Sequence, residues 1–571
     1  MPTDPSVPTV RQVREALTAP GQPFEMDQVD IRGVRTRVWK HAPTTLRDIL
    51  ELSRGHGDKP YLVYEDDRVT FAGHYARVAA FARRLTGDHG VRKGDRVAIA
   101  MRNYPEWSVA FWAAAVAGAV VVPLNAWWSA AELEYGLRDS GARVLIADLE
   151  RAERLAAALP GLDLAAALVV RADGAPLPAG TAPFDDTPGD GDPGVLPDVA
   201  LDPEDDATIF YTSGTTGRSK GALGTHRNIT TNPVSLAYGM LSGGVRAGGV
   251  LDQLLAPQPR VTLLSVPFFH ATGCHSVLVT SALQGGTVVL MYKWDAERAL
   301  ALIEREKVTG FGGVPTMAWQ VLTHPDFGKY DTSSLAGVSY GGAPAAPALV
   351  DTIRERLPDR VPGNGYGLTE TSSVTTYNAG FNYLERPASV GPPVAVCDVK
   401  VVGPAGDELP AGEVGELLIQ GPNVIKGYWN KPEATAQAFT GGWFHSGDLA
   451  RLDDDGFVYI VDRAKDMLIR GGENVYCAEV EAALHEHPAV ADCGVIGVPH
   501  QILGEEVGAV VVLRPGTALT PAELRAFLRD RIAAFKIPEH VWFRDGELPR
   551  NPGGKLLKTR LREELLGPAG T

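Results

Sequence analysis

Cysteine is scarce: the 571 residues hold four, Cys274, Cys397, Cys477 and Cys493. They form no C-x-x-C pair and lie far apart, which argues against a disulfide framework or a cysteine zinc site and for a reducing compartment. Long apolar runs are missing too. The longest, Val109 to Val122, stops at Pro123, well short of the roughly 20 residues of a membrane span. It predicts a buried helix leading into a strand. The N-terminal MPTDPSVPTV lacks a basic segment followed by an apolar one, so no signal peptide is expected and a cytoplasmic location is. Positive charge is in deficit, 54 Lys+Arg against 69 Asp+Glu for a formal net charge of −15. Such a chain has no global electrostatic reason to seek nucleic acid or an anionic membrane. Lysine is the scarcer cation, 14 residues against 40 arginines.

What is present can build a large core: 44% of residues are hydrophobic and 22% charged, which excludes a mostly disordered chain. At about 150 residues per domain the length implies three or four units. Residues 29–39, VDIRGVRTRVW, read as a strand, and Thr45 caps a helix carrying Leu46, Ile49 and Leu50 on one face. From about 59 to 200, short β-like runs (Val97–Ala100, Val120–Val122, Val144–Ala147) alternate with helical ones, the pattern of an α/β sheet with parallel strands. Residues 171–206, rich in Pro, Gly and Asp, read as a solvated linker without chemistry. The alternation returns over 207–400. Short strands at Val399–Val402, Glu416–Ile419 and Phe457–Val461 follow, and residues 466–571 carry signals of their own, including a helix from Pro521 to Arg531. Asp462–Asp466 marks a boundary between a large and a small domain. No repeat of 20–50 residues is apparent.

The most informative segment is YTSGTTGRSKGA, residues 211–222, after the strand-like Ala207–Tyr211. Glycines admit a ligand close to the backbone, hydroxyls and N–H groups cradle phosphate oxygens, and Lys220 adds a point charge. It is not a Walker A loop: Ser219 stands five residues after Gly214, and Lys220 is followed by Gly221 rather than Ser or Thr.

The full string resembles the phosphate-binding motif of the adenylate-forming superfamily, which comprises acyl-CoA synthetases, adenylation domains of peptide synthetases and luciferases. Six further segments follow in the family's order, and the resemblance runs from about residue 44 to 560. PFFHATG (267–273) resembles the gate beside the acyl pocket. YGGAP (340–344) looks like the turn that receives adenine, and NGYGLTET (364–371) like the adenine and magnesium segment. SGDL (446–449) resembles the ribose-binding strand, and DRAKDMLIRGGEN (462–474) the hinge and glycine loop of a mobile C-terminal domain. PRNPGGKLLK (549–558) resembles the loop of the catalytic lysine. Of the fourteen lysines, those at 220, 465 and 555 hold key places in these motifs, a hint that an ammonium rather than a guanidinium is wanted there.

The resemblance implies an α/β fold. A large multi-lobed N-terminal domain has two parallel-rich αβ subdomains and a small β subdomain, and a smaller mobile α+β C-terminal domain follows. The implied division is an N-terminal extension over 1–43, an adenylation domain over 44–464 and a C-terminal domain over 465–571. It implies ATP contacts from Thr212, Ser213, Gly214, Thr215, Thr216, Gly217, Lys220, Gly342, Ala343, Pro344, Asn364, Gly365, Tyr366, Thr369, Asp448 and Arg463. Tyr366 would stack on adenine, Thr369 would meet the α-phosphate, and Asp448 would accept from both ribose hydroxyls. Mg²⁺ would sit on Glu370 with Thr216, consistent with its preference for one or two protein oxygens plus phosphates. Catalysis is assigned to Lys555, Glu370, Thr369 and His270, the hinge to Lys465, coenzyme A binding to Gly471 and Gly472, and the acyl pocket to His270, Tyr340 and Gly341, with Phe268 and Phe269 beside them. The implied reaction joins a hydrophobic acid, fatty or aromatic, to AMP and then to coenzyme A. A carrier protein as acceptor, a non-carboxylate oxyanion as nucleophile and a homodimer stay open. An inactive scaffold should have lost Lys555, Glu370 or Asp448, and all three are present. Two departures stand out: Ser219 where a proline is common before the lysine, and Asn551-Pro-Gly-Gly before Lys555.

Overall fold

The computed structural model describes residues 7–189, 194–212, 219–256, 258–341, 347–358, 360, 362–471, 473–551 and 554–567. Two eight-stranded sheets form its body. The first runs Gly427–Tyr428, Lys220–Thr225, Asp206–Thr212, Val120–Pro123, Arg96–Ala100, Ala142–Asp148, Ala166–Val170, Ala182–Pro183. Its strands are parallel from Asp206–Thr212 onward, with Lys220–Thr225 and Gly427–Tyr428 antiparallel at one edge. The second sheet centres on the parallel strands Gly363–Tyr366, Gly337–Gly341, Gly310–Gly313, Val261–Leu264, Thr287–Leu290 and Pro60–Tyr64.

Between the sheets lie the helices Phe71–Gly87 and Pro105–Val116, and one apolar cluster takes side chains from both sheets and both helices. This position explains the apolar run at 109–122. A helix covered on two faces has no solvent stripe to leave polar, so every residue of Pro105–Val116 except Glu106 is buried. The run then enters the fully buried strand Val120–Pro123. Trp107, Phe111 and Trp112 are among the largest fully buried side chains, each contributing about 2 kcal/mol or more of transfer free energy. Thr45 caps Leu46–Ser53 through a reciprocal pair with Asp48, and Leu46, Ile49 and Leu50 are buried as the spacing predicts.

Residues 29–39 depart from the single strand expected. They belong to a hairpin, Met26–Ile31 paired with Val34–Trp39, turning at Arg32 and Gly33 with φ of 52° and 80°. A two-residue turn with both φ positive matches the strand twist. Arg32 gains a tertiary hold there, donating to the carbonyls of Ile425 (2.8 Å) and Val424 (3.0 Å). Among the described residues of the 171–205 linker the edge strand Ala182–Pro183 is the only strand or helix.

An antiparallel sheet of Asp398–Val402, Gly415–Gln420, Trp443–Leu452 and Val458–Arg463 follows. The C-terminal sheet holds the long hairpin Val490–His500 and Gly504–Leu513, flanked by Leu468–Arg470, Glu473–Val475 and His540–Phe543. Its own core includes Val480, Leu484, Val495, Val507, Leu524 and Leu528. Two contacts seat it on the large part: Arg514 lies 5.5 Å from the Trp319 ring, and Gly554 abuts Val314, where an added Cβ would come within 2.5 Å. No described helix is long and apolar enough to cross a membrane. The fold class read from the sequence holds.

Candidate active site

Thr212 ends the strand Asp206–Thr212, and Lys220 opens the antiparallel return, opposite Thr212 in register. The two stems are therefore fixed side by side. Ser213, Gly214, Thr215, Thr216 and Gly217 lie outside the described residues, as do Gly342, Ala343, Pro344 and Gly472. The Lys220 ammonium sits 5.1 Å from the Tyr428 ring centroid, and the Tyr428 hydroxyl donates to Glu370 Oε1 at 2.8 Å. Glu370 lies in the short helix Thr369–Thr371. Burial raises its pKa, with the Tyr428 hydrogen bond opposing. Thr369 is its immediate neighbour on the same turn.

Backbone constraints hold this turn. Ser372 and Ser373 both adopt positive φ, 51° and 98°, a conformation unusual for non-glycine residues that tends to collect at functional sites. Gly367 is required by close approach: a Cβ there would lie 1.4 Å from the Ser373 carbonyl oxygen. Gly341 is likewise pressed against the Gly365 carbonyl, 2.4 Å from where its Cβ would be. Asn364, paired with Tyr340, is buried beside it.

A second group meets on the third sheet. The Tyr366 hydroxyl donates to Asp448 Oδ2 at 2.6 Å, and Arg463 Nε lies 3.3 Å from Asp448 Oδ1. Asp448 and Arg463 face each other across paired strands. Lys555, on the C-terminal unit, lies within electrostatic range of both Arg463 and Asp448. Its pKa falls from 10.5 to about 7 because burial penalises the ammonium and Arg463 repels it, with Asp448 in partial compensation. The Lys555 backbone N–H donates to Asn551 Oδ1 at 2.9 Å, closing the loop that presents it. Lys465 lies in the turn between Val458–Arg463 and Leu468–Arg470. Gly471 caps the other side of that small sheet, its N–H donating to Leu503 O at 2.8 Å with φ of 60°.

His270 precedes an eight-residue π-helix, Thr272–Val279, a rare geometry often found at functional sites. Burial lowers the His270 pKa to about 4, so its imidazole is neutral, and Nε2 has no hydrogen-bond partner among the described residues. His275 in the π-helix contacts the Ser372 carbonyl through Nδ1 at 3.2 Å, and Ser276 meets Ser373, hydroxyl to hydroxyl, at 2.7 Å. The π-helix is thus bonded to the segment that bears Glu370. Two residues expected at the acyl pocket, Tyr340 and Phe268, are buried. On Gly337–Gly341 the alternate residues Val338 and Tyr340 face the core, and Tyr340 bonds to the Tyr383 hydroxyl. Phe268 is likewise core, its ring 5.0 Å from Trp107.

The donor set suits a hard cation held chiefly by substrate. Among the described residues no cluster of three or more His, Cys, Asp or Glu could hold a metal, and Glu370 is a carboxylate with one oxygen engaged by Tyr428. That fits Mg²⁺ bound through one carboxylate plus phosphates. Tyr428 and His275 escaped the reading of the sequence. Tyr428 sits in a two-residue edge strand with no local motif, and only its pairing with Lys220–Thr225 reveals its place.

The AMP-binding enzyme family profile matches residues 49–429, and the AMP-binding enzyme C-terminal domain profile matches 479–555. Feruloyl-CoA synthase of an Amycolatopsis species is 41% identical over 497 residues, covering 87% of this chain and 94% of that protein. A long-chain-fatty-acid–CoA ligase of Bacillus subtilis is 35% identical, covering 91% and 94%. The solved o-succinylbenzoate CoA synthetase of Bacillus subtilis, in complex with its acyl-adenylate intermediate, aligns with a TM-score of 0.73 at 31% identity, covering 90% of this chain and 97% of that one. With a family profile over more than half its length, the chain belongs to the AMP-binding enzymes.

Proposed function

We propose that this enzyme, an acid–thiol ligase, activates a hydrophobic carboxylic acid with MgATP and transfers the acyl group to coenzyme A. In the first half-reaction a carboxylate oxygen attacks the α-phosphorus, an acyl–phosphate bond forms and pyrophosphate leaves. In the second, the thiol sulfur attacks the acyl carbon, the bond to AMP breaks and the thiol proton is released. One observation supports the reading: Tyr366 and Arg463 both engage Asp448, and the charges of Arg463 and Asp448 act on the buried Lys555 ammonium.

The first step brings two anions together, so catalysis rests on placing positive charge and excluding water. Lys555 supplies an ammonium that forms readily once an anionic substrate arrives, since anions raise the pKa of a neighbouring amine. Lys220, fixed at the stem of its turn, faces the phosphates. Asp448 accepts from the ribose hydroxyls, and Tyr366, whose hydroxyl anchors Asp448, offers its ring to adenine. Mg²⁺, when bound, neutralises phosphate charge, and Glu370 with Thr216 would hold it. Neutral His270 stands at the acyl side with an unsatisfied Nε2 that can meet a polar group of the acid or acceptor. Coenzyme A needs a path that Lys555 does not block, so the C-terminal unit turns at Lys465, withdrawing Lys555 and bringing the Gly471–Gly472 loop forward. The segments 1–43, 44–464 and 465–571 act as extension, adenylation body and moving unit. Four buried, unpaired cysteines suit a reducing cytoplasm.

The test is pyrophosphate release across a panel of aromatic and fatty acids, with inorganic oxyanions included, run without acceptor, with coenzyme A and with a carrier protein. Acid-dependent release and acyl-CoA formation from an aromatic or fatty acid are expected. Release driven only by an inorganic oxyanion, or transfer only to the carrier, overturns the corresponding part.

A further inference from the structure

We infer that Asp139 is a positioning residue for the nucleotide phosphates, acting through both stems of the 212–220 turn. This rests on the assignment of that turn to phosphate, and it adds a residue that lies outside every motif. Asp139 sits near the end of the helix Ala130–Ser140 with its side chain only 9% exposed. A buried carboxylate is costly, and near a helix C-terminus it faces the negative end of the helix dipole. Its partners show what offsets this. The Tyr211 hydroxyl donates to Asp139 Oδ2 at 2.9 Å, and Tyr211 immediately precedes Thr212 on the entering stem. The Tyr135 hydroxyl lies 3.2 Å from Asp139 Oδ1 and 3.1 Å from the carbonyl of Ser219 on the returning stem. Lys431 Nζ makes an ion pair with Oδ1 at 3.0 Å.

The same residue is bonded through its backbone. The Trp429 indole N–H donates to the Asp139 carbonyl at 3.1 Å, and the Trp429 amide donates to the Gly221 carbonyl at 2.8 Å. Asp139 thereby fastens the turn 428–431 to both stems, and Tyr428 of that turn holds Glu370. One residue so ties the two stems of the proposed phosphate turn to the turn that holds Glu370. A helix end packed merely for stability has no need of a charged group whose ligands come from both sides of one loop.

The experiment compares wild type with Asp139→Ala, Asp139→Asn and Asp139→Asn/Lys431→Met. It measures MgATP affinity by calorimetry, the KM for MgATP, acid and coenzyme A, and the melting temperature. Misplacing groups that orient a substrate can cost up to about a hundredfold. Asp139→Ala is expected to raise the Kd and KM for MgATP roughly tenfold, with the KM of acid and coenzyme A nearly unchanged. Asp139→Asn leaves the Lys431 ammonium unpaired, and removing that ammonium in the double variant recovers part of the MgATP affinity. An unchanged MgATP Kd in Asp139→Ala overturns the inference, as does a rise of all three KM values in step with a lowered melting temperature. A wild-type protein that fails to bind MgATP at all defeats instead the assignment of the turn.

Discussion

Lys555 and Lys558 stand three residues apart in the PGGKLLK stretch, and their surroundings drive them in opposite directions. Burial lowers both. At Lys555 the neighbouring Arg463 and Lys465 add repulsion, Asp448 and Asp466 compensate only in part, and the pKa settles at about 7. At Lys558 the Glu481 carboxylate 2.8 Å away, with Cys477 and Asp462 behind it, more than offsets burial, and the pKa rises well above 10.5. One lysine lacks a carboxylate partner strong enough to hold its proton, with Asp448 compensating only in part. The other ties the C-terminal helix Lys558–Leu566 to the helix Cys477–His485. The contrast separates a group prepared for an incoming anion from a group that already has one. It also fixes opposite slopes with pH. Folding binds fewer protons than unfolding at Lys555 between about 7 and 10.5, so that contribution to stability improves as pH rises through this window. The Lys558 contribution is complete below 10.5 and fades only as pH climbs toward its raised value.

Removing each lysine in turn breaks the comparison most severely. Lys555→Ala is expected to slow adenylation by about two to three orders of magnitude, as for loss of one preorganised electrostatic group. Thioester formation from supplied acyl-adenylate should suffer far less, which single-turnover assays of the two half-reactions measure. Lys558→Met should do the converse. It strands the partly buried Glu481 and costs about 2 kcal/mol of stability, discounted from a fully buried pair because both side chains retain some exposure. Denaturant melts measure that loss, while adenylation per folded molecule stays close to wild type. A stable Lys558→Met protein that has lost adenylation would erase the distinction.

The proposed pivot at Lys465 sharpens the same contrast, since its turning would withdraw Lys555. Among the described residues the Lys465 amide makes no hydrogen bond, so proline there removes none and acts by fixing φ. Lys465→Pro is expected to slow the thiol step roughly tenfold while adenylation changes less. Stopped-flow measurement of each step decides, and unchanged turnover would speak against the hinge. The smallest effect is a proton. At pH 8 the free Lys555 is mostly neutral, so MgATP binding should take up close to one proton, about 0.9 at most for a pKa of 7. Calorimetry in buffers of different ionisation enthalpy reads this uptake, and Lys555→Ala should abolish that share of it.

The parts of the fold legible in the sequence were those set by local pattern. The capped helix at Leu46–Ser53, the buried helix and strand around 105–123, and the strands near 97–100 and 144–147 are all present. The hairpin at 26–39 was read as one strand because Arg32 gives no warning of positive φ. Motifs name the candidate site residues one by one, but not the side chains that support them. Tyr428, His275 and Asp139 act through partners 58, 97 and 72 residues away in sequence, a separation that no window on the sequence can register. Tyr340 shows a further limit: its motif names it as a candidate, but only the structure shows that the period-two alternation of its strand buries the ring.

The most direct measurement is acid-dependent ATP–pyrophosphate exchange by the wild-type protein and Lys555→Ala, assayed side by side. Exchange that requires magnesium and an aromatic or fatty acid, and that falls by orders of magnitude when Lys555 is removed, is the expected result. Exchange with no acid in the panel, or equal exchange by both proteins, would contradict the role given to the convergence of Lys555, Asp448 and Arg463.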